Sequence, residues 1–189
     1  HGILHSFPTR RSSDLPDHVR DRAARVRLVC FDVDGVMTDG GLYYSDVGHE
    51  AKRFHVLDGL GLKMLLESGV HVAVITARDT PAVAQRMRDL GIRHVFAGVP
   101  DKRARMLALA AELGLGIEDV AHVGDDLPDL GILSTVGFAI TVANAHPSIV
   151  GVTHWQTRRH GGDGAVREVC DVILAARGLL DAAVARFRP

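Results

Sequence analysis

The stretch "LVCFDVDGVMTDGG", Leu28 to Gly41, decides how the chain is read. Its first four residues form an apolar run of strand length with no polar alternation, the pattern of a strand buried on both faces. Asp32 and Asp34 follow, separated by one valine and closed by Gly35. Two like charges at the end of a buried strand repel each other. A chain that places them there needs something positive beside them.

Outward from this point the chain alternates short apolar runs with helical patterns. Strands are predicted over 27–31, 71–76, 94–98, 120–125 and 138–142. Helices are predicted over 59–68, 80–90, 101–113 and, briefly, 127–133. Thr80 before Pro81 reads as a helix start, and Gly91 and Gly114 read as helix ends. Strands this apolar, alternating with helices, indicate an α/β fold of three layers, Rossmann-like, with a parallel central sheet covered on both faces. Residues 41–56 break the alternation, because two β-type runs around Asp46-Val47-Gly48 read as a β-hairpin. Residues 164–180 read as a closing amphipathic helix behind Gly161-Gly162.

Composition narrows the function. Lys and Arg total 22 against 23 Asp and Glu, a net charge of −1, which argues against nucleic-acid binding through bulk electrostatics. No apolar run is long enough to span a bilayer. Cys30 and Cys170 lack metal-ligand spacing and read as buried free thiols, the usage of a reducing, cytoplasmic compartment. The opening "HGILHSFPTRRSSDL" lacks periodicity and reads as a non-native or disordered leader. The expected organisation is a leader over 1–25, one domain over 26–180 and a tail over 181–189.

In an open parallel sheet, ligands bind outside the carboxyl ends of the strands. The polar residues expected there are Asp32 and Asp34 after the first strand, Thr76 and Arg78 after the second, and Asp125 and Asp126 after the fourth, with Lys102 opening the third helix. Asp32, Asp34 and Asp125 meeting in one place call for a hard cation, and Mg²⁺ suits oxygen ligands shared with a phosphate. Thr76 and Lys102 then offer a hydroxyl and an ammonium to phosphate oxygens, so the set describes phosphoryl transfer. Asp32, on the strand end, is placed to attack phosphorus. Asp34 is placed to protonate the leaving alkoxide and later to deprotonate water. Because an ordinary Asp titrates near pH ~3.9, Asp34 is expected to be raised by a neighbouring carboxylate and partial burial.

The motifs "DVDGVMTDG", "ITAR" (75–78), a helix-opening lysine and "GDDLPDL" (124–130) together resemble the haloacid-dehalogenase-like phosphatase superfamily, over about Val26 to Leu180. With "FHVLDGLGLKML", "ANAHP" and "GGDGAVREVCDVIL", they resemble its capless branch, and within that the 3-deoxy-D-manno-octulosonate 8-phosphate phosphatases of lipopolysaccharide synthesis. The resemblance implies a nucleophile at Asp32, an acid/base at Asp34, and Mg²⁺ held by Asp32, Asp125 and the Asp34 carbonyl. It implies phosphoryl contacts from Thr76 and Lys102, and a small-molecule sugar phosphate as substrate. It implies substrate contacts from His55, Val56, Leu57, Asp58, Gly59, Lys63, Arg78 and Arg86, and a homotetramer in which hairpins pack and neighbouring chains close the site. Ala77 and Pro128 depart from the usual motifs without replacing a reacting group.

Several residues have two readings. Asp126 and Asp129 either cap the short helix at Leu127 or support the metal site. Arg86 either reaches substrate or lies on a solvated face. "HGGDG" (160–164) either offers amides to an anion or is a plain turn. His71, His94 and His122 read as core or edge residues, and Tyr43 and Tyr44 as interface residues. A receiver-like phosphoacceptor module uses similar residue types but places its acidic pair and phosphoacceptor on different strands. A nine-carbon acid sugar phosphate, or another small phosphomonoester, is the alternative substrate.

Overall fold

The computed structural model describes residues 15–188. Among them a six-stranded sheet runs in the order β5-β4-β1-β6-β7-β8, and every pairing is parallel. Its strands are β1 (Leu28–Phe31), β4 (His71–Ile75), β5 (His94–Phe96), β6 (Val120–Gly124), β7 (Phe138–Thr141) and β8 (Trp155–Gln156). The hairpin comprises β2 (Tyr43–Tyr44) and β3 (Glu50–Ala51). The helices are α1 (Asp17–Arg25), α2 (Val56–Glu67), α3 (Pro81–Leu90), α4 (Lys102–Glu112), α5 (Leu130–Leu133), α6 (Pro147–Val150), α7 (Ala165–Ala176) and α8 (Leu180–Ala185).

Side chains alternate between the two sheet faces with the period of a strand. Val29, Phe31, Val72, Val74, Val123 and Ile140 point into a core shared with α1, α2, α3 and α7. Leu28, Cys30, Ala73, Ile75 and Ala139 point into a second core closed by α4, α5 and α6. The three layers expected from the strand–helix alternation are therefore present. Both cysteines are free and buried, one in each core, and burial pushes the Cys30 thiol up to about 12.

Register places the site. Phe31 lies opposite Val74 on one side and Val123 on the other, so β1, β4 and β6 end level with one another. The Asp32 amide donates to the Val123 carbonyl at 3.0 Å, which carries the ladder one residue past the strand. Asp32, Thr76 and Asp125 consequently emerge along one rim.

The structure corrects four expectations. The leader was drawn to Arg25, yet residues 17–25 form a helix with Val19 and Ala23 buried in the first core, joined there by Leu15. Apolar residues at i and i+4 face the same side, and that short signal was hidden by the irregular residues before it. Residues 1–14, the rest of the expected leader, lie outside the described residues. The tail after 180 includes α8, which buries Ala183. Helix α2 starts at Val56 rather than Gly59, because the His55 ring accepts from the Leu57 amide at 3.3 Å and caps it. The edge strand β8 was missed, since two residues carry no periodic signal.

The hairpin is small. Each strand has two residues, and the Thr38–Phe54 bridge fastens its base. Among the described residues it is the sole insertion between β1 and α2, so no large cap domain is present there. Removing residues 1–25 is expected to lower stability by more than about 2 kcal/mol, since Leu15 and Val19 each bury a large apolar side chain. Chemical denaturation of the shortened chain checks this, and an unchanged midpoint would contradict the packing of α1.

Candidate active site

Lys102 is the centre of the rim. Asp101 caps α4 by accepting from the Ala104 amide at 2.9 Å, which fixes Lys102 as the first helical residue. Its ammonium lies 2.9 Å from Asp32 Oδ1 and 2.8 Å from Asp129 Oδ1, with only 5% of the side chain exposed. Asp129 is saturated. Its Oδ1 also meets His122 Nε2 at 3.1 Å, and its Oδ2 accepts from the Asp125 amide at 3.1 Å. Asp32, Asp125 and Asp129 each bring a carboxylate oxygen within 4.8 Å of the others.

The charges do not balance. Burial, then the Asp129 carboxylate, raises Asp32 above the ordinary carboxylate range against the pull of Lys102. Burial, followed by the charges of Asp32 and Asp129, pushes Asp125 up to about 7. Burial also opposes ionisation of Asp129, but its bonds to His122 and Lys102 outweigh that and hold it well below the usual range. Burial alone would lower Lys102, and the Asp32 and Asp129 carboxylates reverse this and raise it. One ammonium among three carboxylates leaves negative charge in excess, and a divalent cation suits that donor set. Asp129 already has a donor for each oxygen, so the carboxylates with capacity to spare are Asp32 and Asp125.

Thr76 is buried at the end of β4. Its amide donates to the Phe96 carbonyl at 2.9 Å, and its hydroxyl accepts from the Arg78 amide at 3.3 Å. Asp34 differs from expectation. The sequence suggested a carboxylate neighbour that would favour its protonated form. Its carboxylate instead meets the Lys52 ammonium and lies 3.7 Å from Arg78 Nε.

The loop after β1 is shaped by close backbone approach. A Cβ at Gly35 would fall 1.9 Å from Asp125 Oδ2, and one at Gly161 would fall 1.7 Å from the Gly35 carbonyl oxygen. The "HGGDG" turn is thus a backbone clamp on the aspartate loop, with the Gly162 amide donating to the Val36 carbonyl at 3.0 Å.

The remaining residues form a second group. His55 accepts an α2 amide through its ring and accepts Arg86 Nη2 through its carbonyl at 3.4 Å. The Arg86 guanidinium lies over the Phe54 ring at 5.8 Å, and a Cβ at Gly59 would fall 2.3 Å from Arg86 Nη2. Val56, Leu57 and Lys63 are exposed. Asp58 is the exception, being buried with Oδ1 accepting the Arg167 amide at 2.8 Å. It therefore stitches α2 to the first turn of α7 and is turned away from solvent. His55 Nε2 lies 3.8 Å from Asp163 Oδ1, so this group borders the 160–164 turn.

The readings left open divide as follows. Asp126 caps the turn at Leu127 with a 2.7 Å bond, while Asp129 sits at the heart of the cluster. His122 is the buried core histidine expected, and it is also Asp129's partner, which its place between apolar residues concealed. Lys52 and Glu50 carry no sequence signal of their own beyond the extended, period-2 spacing that puts both on one side of the chain leaving β3.

A family model for haloacid dehalogenase-like hydrolases matches residues 94–169. The 3-deoxy-D-manno-octulosonate 8-phosphate phosphatase of Yersinia pestis is 45% identical over 169 residues, covering 89% of this chain and 90% of that protein. The chain belongs to this phosphatase family. Another family member, from Moraxella catarrhalis, has been solved in complex with magnesium, phosphate and KDO. It shares 40% identity at a TM-score of 0.90, covering 92% of this chain and all of that one. A hypothetical protein from Xanthomonas campestris matches at 55% identity and a TM-score of 0.91, over 93% of this chain and 96% of its own. Among the described residues of this family member, no helix is long and apolar enough to cross a membrane.

The charge excess sets a sign for stability. Asp32 and Asp125 bind protons more tightly folded than unfolded, so their stabilising contribution is present below about pH 4 and declines as pH rises, that of Asp125 being lost through about pH 7. The metal-free protein is expected to lose thermal stability from pH 5 to 8, and Mg²⁺ should flatten that slope. Melting curves with and without chelator test this. A midpoint that rises with pH in the metal-free state would contradict the charge balance described.

Proposed function

We propose that the chain is a Mg²⁺-dependent phosphomonoesterase that hydrolyses 3-deoxy-D-manno-octulosonate 8-phosphate to the free sugar acid and phosphate. The observation that carries this reading is the buried Asp32–Lys102–Asp129 arrangement beside Asp125, at the carboxyl rim of a parallel sheet. The substrate is assigned from the relatives that bear its name.

The chemistry follows from the residues. Asp32 Oδ forms a bond to phosphorus as the ester P–O bond breaks, and Asp34 gives its proton to the departing sugar oxygen. Asp34 then takes a proton from water, whose oxygen attacks the phosphorus of the aspartyl-phosphate and releases Asp32 and inorganic phosphate. Lys102 and the Thr76 hydroxyl bind the transferring oxygens. Lys102 is rigid for this task, because Asp129, itself fixed by His122, holds it. Asp32, Asp125 and the Asp34 carbonyl would hold Mg²⁺, which neutralises the carboxylates and the phosphoryl oxygens. Phosphate monoesters are so inert in water that enzymes accelerate them by up to about 10²¹.

Arg78, His55, Val56, Leu57, Lys63 and Arg86 are assigned to the substrate's sugar acid, while Asp58 and Gly59 serve the packing of α2. The exposure of Val56, Leu57 and Lys63 on α2 suits a homotetramer in which a neighbour's α2 completes each site. The exposed Leu42, Tyr43, Tyr44, Val47, Val56 and Leu57 would form the contact. The catalytic unit is assigned to residues 15–188, α1 and α8 included, in the cytoplasm.

Phosphate release from 3-deoxy-D-manno-octulosonate 8-phosphate should require Mg²⁺ and exceed that from nine-carbon acid sugar phosphates and common sugar phosphates. The Asp32→Asn variant should lose more than about 1000-fold in kcat. Turnover of the other esters with this one ignored would keep the chemistry and overturn the substrate. No release from any ester by the folded protein with Mg²⁺ would overturn both.

A further inference from the structure

Lys52 has no place in the mechanism so far, and its setting is unusual. It follows a two-residue hairpin strand whose neighbours are exposed, yet its own side chain is 1% exposed. Its ammonium meets the Asp34 carboxylate and lies 2.7 Å from Glu50 Oε1. Glu50 is also paired with Arg78, and Arg78 Nε is 3.7 Å from Asp34 Oδ2. Asp34, Lys52, Glu50 and Arg78 thus form a closed ring of alternating charge, two members of which belong to the hairpin. A surface ion pair contributes little and is readily broken, whereas an ammonium withdrawn from water is held by its partners. The Asp34 carboxylate is therefore held by the hairpin and not by the core that fixes Asp32 and Lys102.

We infer that Lys52 is a positioning residue for Asp34, and that through it the hairpin sets the direction in which Asp34 delivers its proton. The inference rests on Asp34 being the proton donor proposed above. In that step the Asp32 Oδ–P bond forms, the ester P–O bond breaks, and the proton passes from Asp34 to the leaving oxygen. Glu50 shares the positive charge of Lys52 and Arg78, so Asp34 is oriented without facing two unshared cations. The interaction is specific to one half-reaction, because a leaving group that departs as a stable anion needs no proton.

The test compares kcat/KM, which reports the steps through departure of the leaving group, for two esters. The first is 3-deoxy-D-manno-octulosonate 8-phosphate, whose alkoxide must be protonated. The second is p-nitrophenyl phosphate, whose phenolate leaves unaided. Lys52→Met should lower kcat/KM about 100-fold on the sugar phosphate and change it less than about threefold on the aryl ester, with most of the loss recovered in Lys52→Arg. Equal loss on both esters, or none on the sugar phosphate, would overturn the inference. Asp34→Asn run beside it separates the two levels. If Asp34→Asn shows the leaving-group difference and Lys52→Met does not, the Lys52 inference alone fails. If Asp34→Asn affects both esters alike, the proton-donor assignment falls and takes the inference with it. Should Lys52→Met not fold, Glu50→Gln, which loosens Lys52 from its other carboxylate, is expected to give the same asymmetry at about 10-fold.

Discussion

Everything at the rim depends on one ammonium placed among carboxylates. Lys102 touches Asp32 and Asp129 at the same time, and Asp129 in turn holds His122 and the Asp125 amide. Removing water from these charges is unfavourable unless each has a partner. Asp129 has its full set of partners, while Asp32 and Asp125 do not. The protein spends rigidity on Asp129 and Lys102 and leaves unbalanced charge on the two carboxylates that face the reaction. That division explains why burial and mutual repulsion drive Asp125 to about 7 while Asp129, more deeply enclosed, stays ionised.

The backbone around the cluster serves the same constraint. The aspartate loop has to bring its chain against Asp125, and the turn at Gly161 has to lie against the loop from the other side. Neither approach tolerates a Cβ, so the loop is gripped between β6 and the residues entering α7. Asp58 extends the grip by bonding the α7 amide of Arg167 from the start of α2. Helices far apart in sequence are thereby tied to the loop that carries Asp32.

Most of the fold was legible because it rests on periodicity. The apolar runs of β1, β4, β6 and β7 and the amphipathic α3, α4 and α7 declare themselves over several residues. Asp32, Asp125 and Lys102 were legible because a parallel sheet gathers its strand ends. What stayed hidden was local or long-range in a way that periodicity does not record. Two-residue β8 and nine-residue α1, behind an irregular opening, carry too little pattern. His122 looks like any strand residue until Asp129 folds back over it. Asp58 sits inside a motif associated with substrate contact, and only tertiary packing reveals that it bonds α7 instead. Glu50 and Lys52 share one side of the chain by spacing alone, but nothing in the sequence indicated that Asp34 would lie beside them.

Two different kinds of support therefore meet at the reacting bond. Asp32 and Thr76 follow strands buried on both faces, and Lys102 opens a helix packed on them, so their positions shift only if the core shifts. Asp34 is held by a hairpin of two-residue strands that buries little and is fastened at its base by a single bridge. Segments with so few buried contacts open at far lower free energy than the core that carries them. On the proposed mechanism, the nucleophile and phosphoryl contacts are thus permanent features of the fold, whereas the proton donor is as well placed as the hairpin is closed. On that mechanism, phosphate binding depends on the core alone and cleavage of an unactivated ester on the closed hairpin, whose exposed Tyr43, Tyr44 and Val47 are the surface a neighbouring molecule would press on.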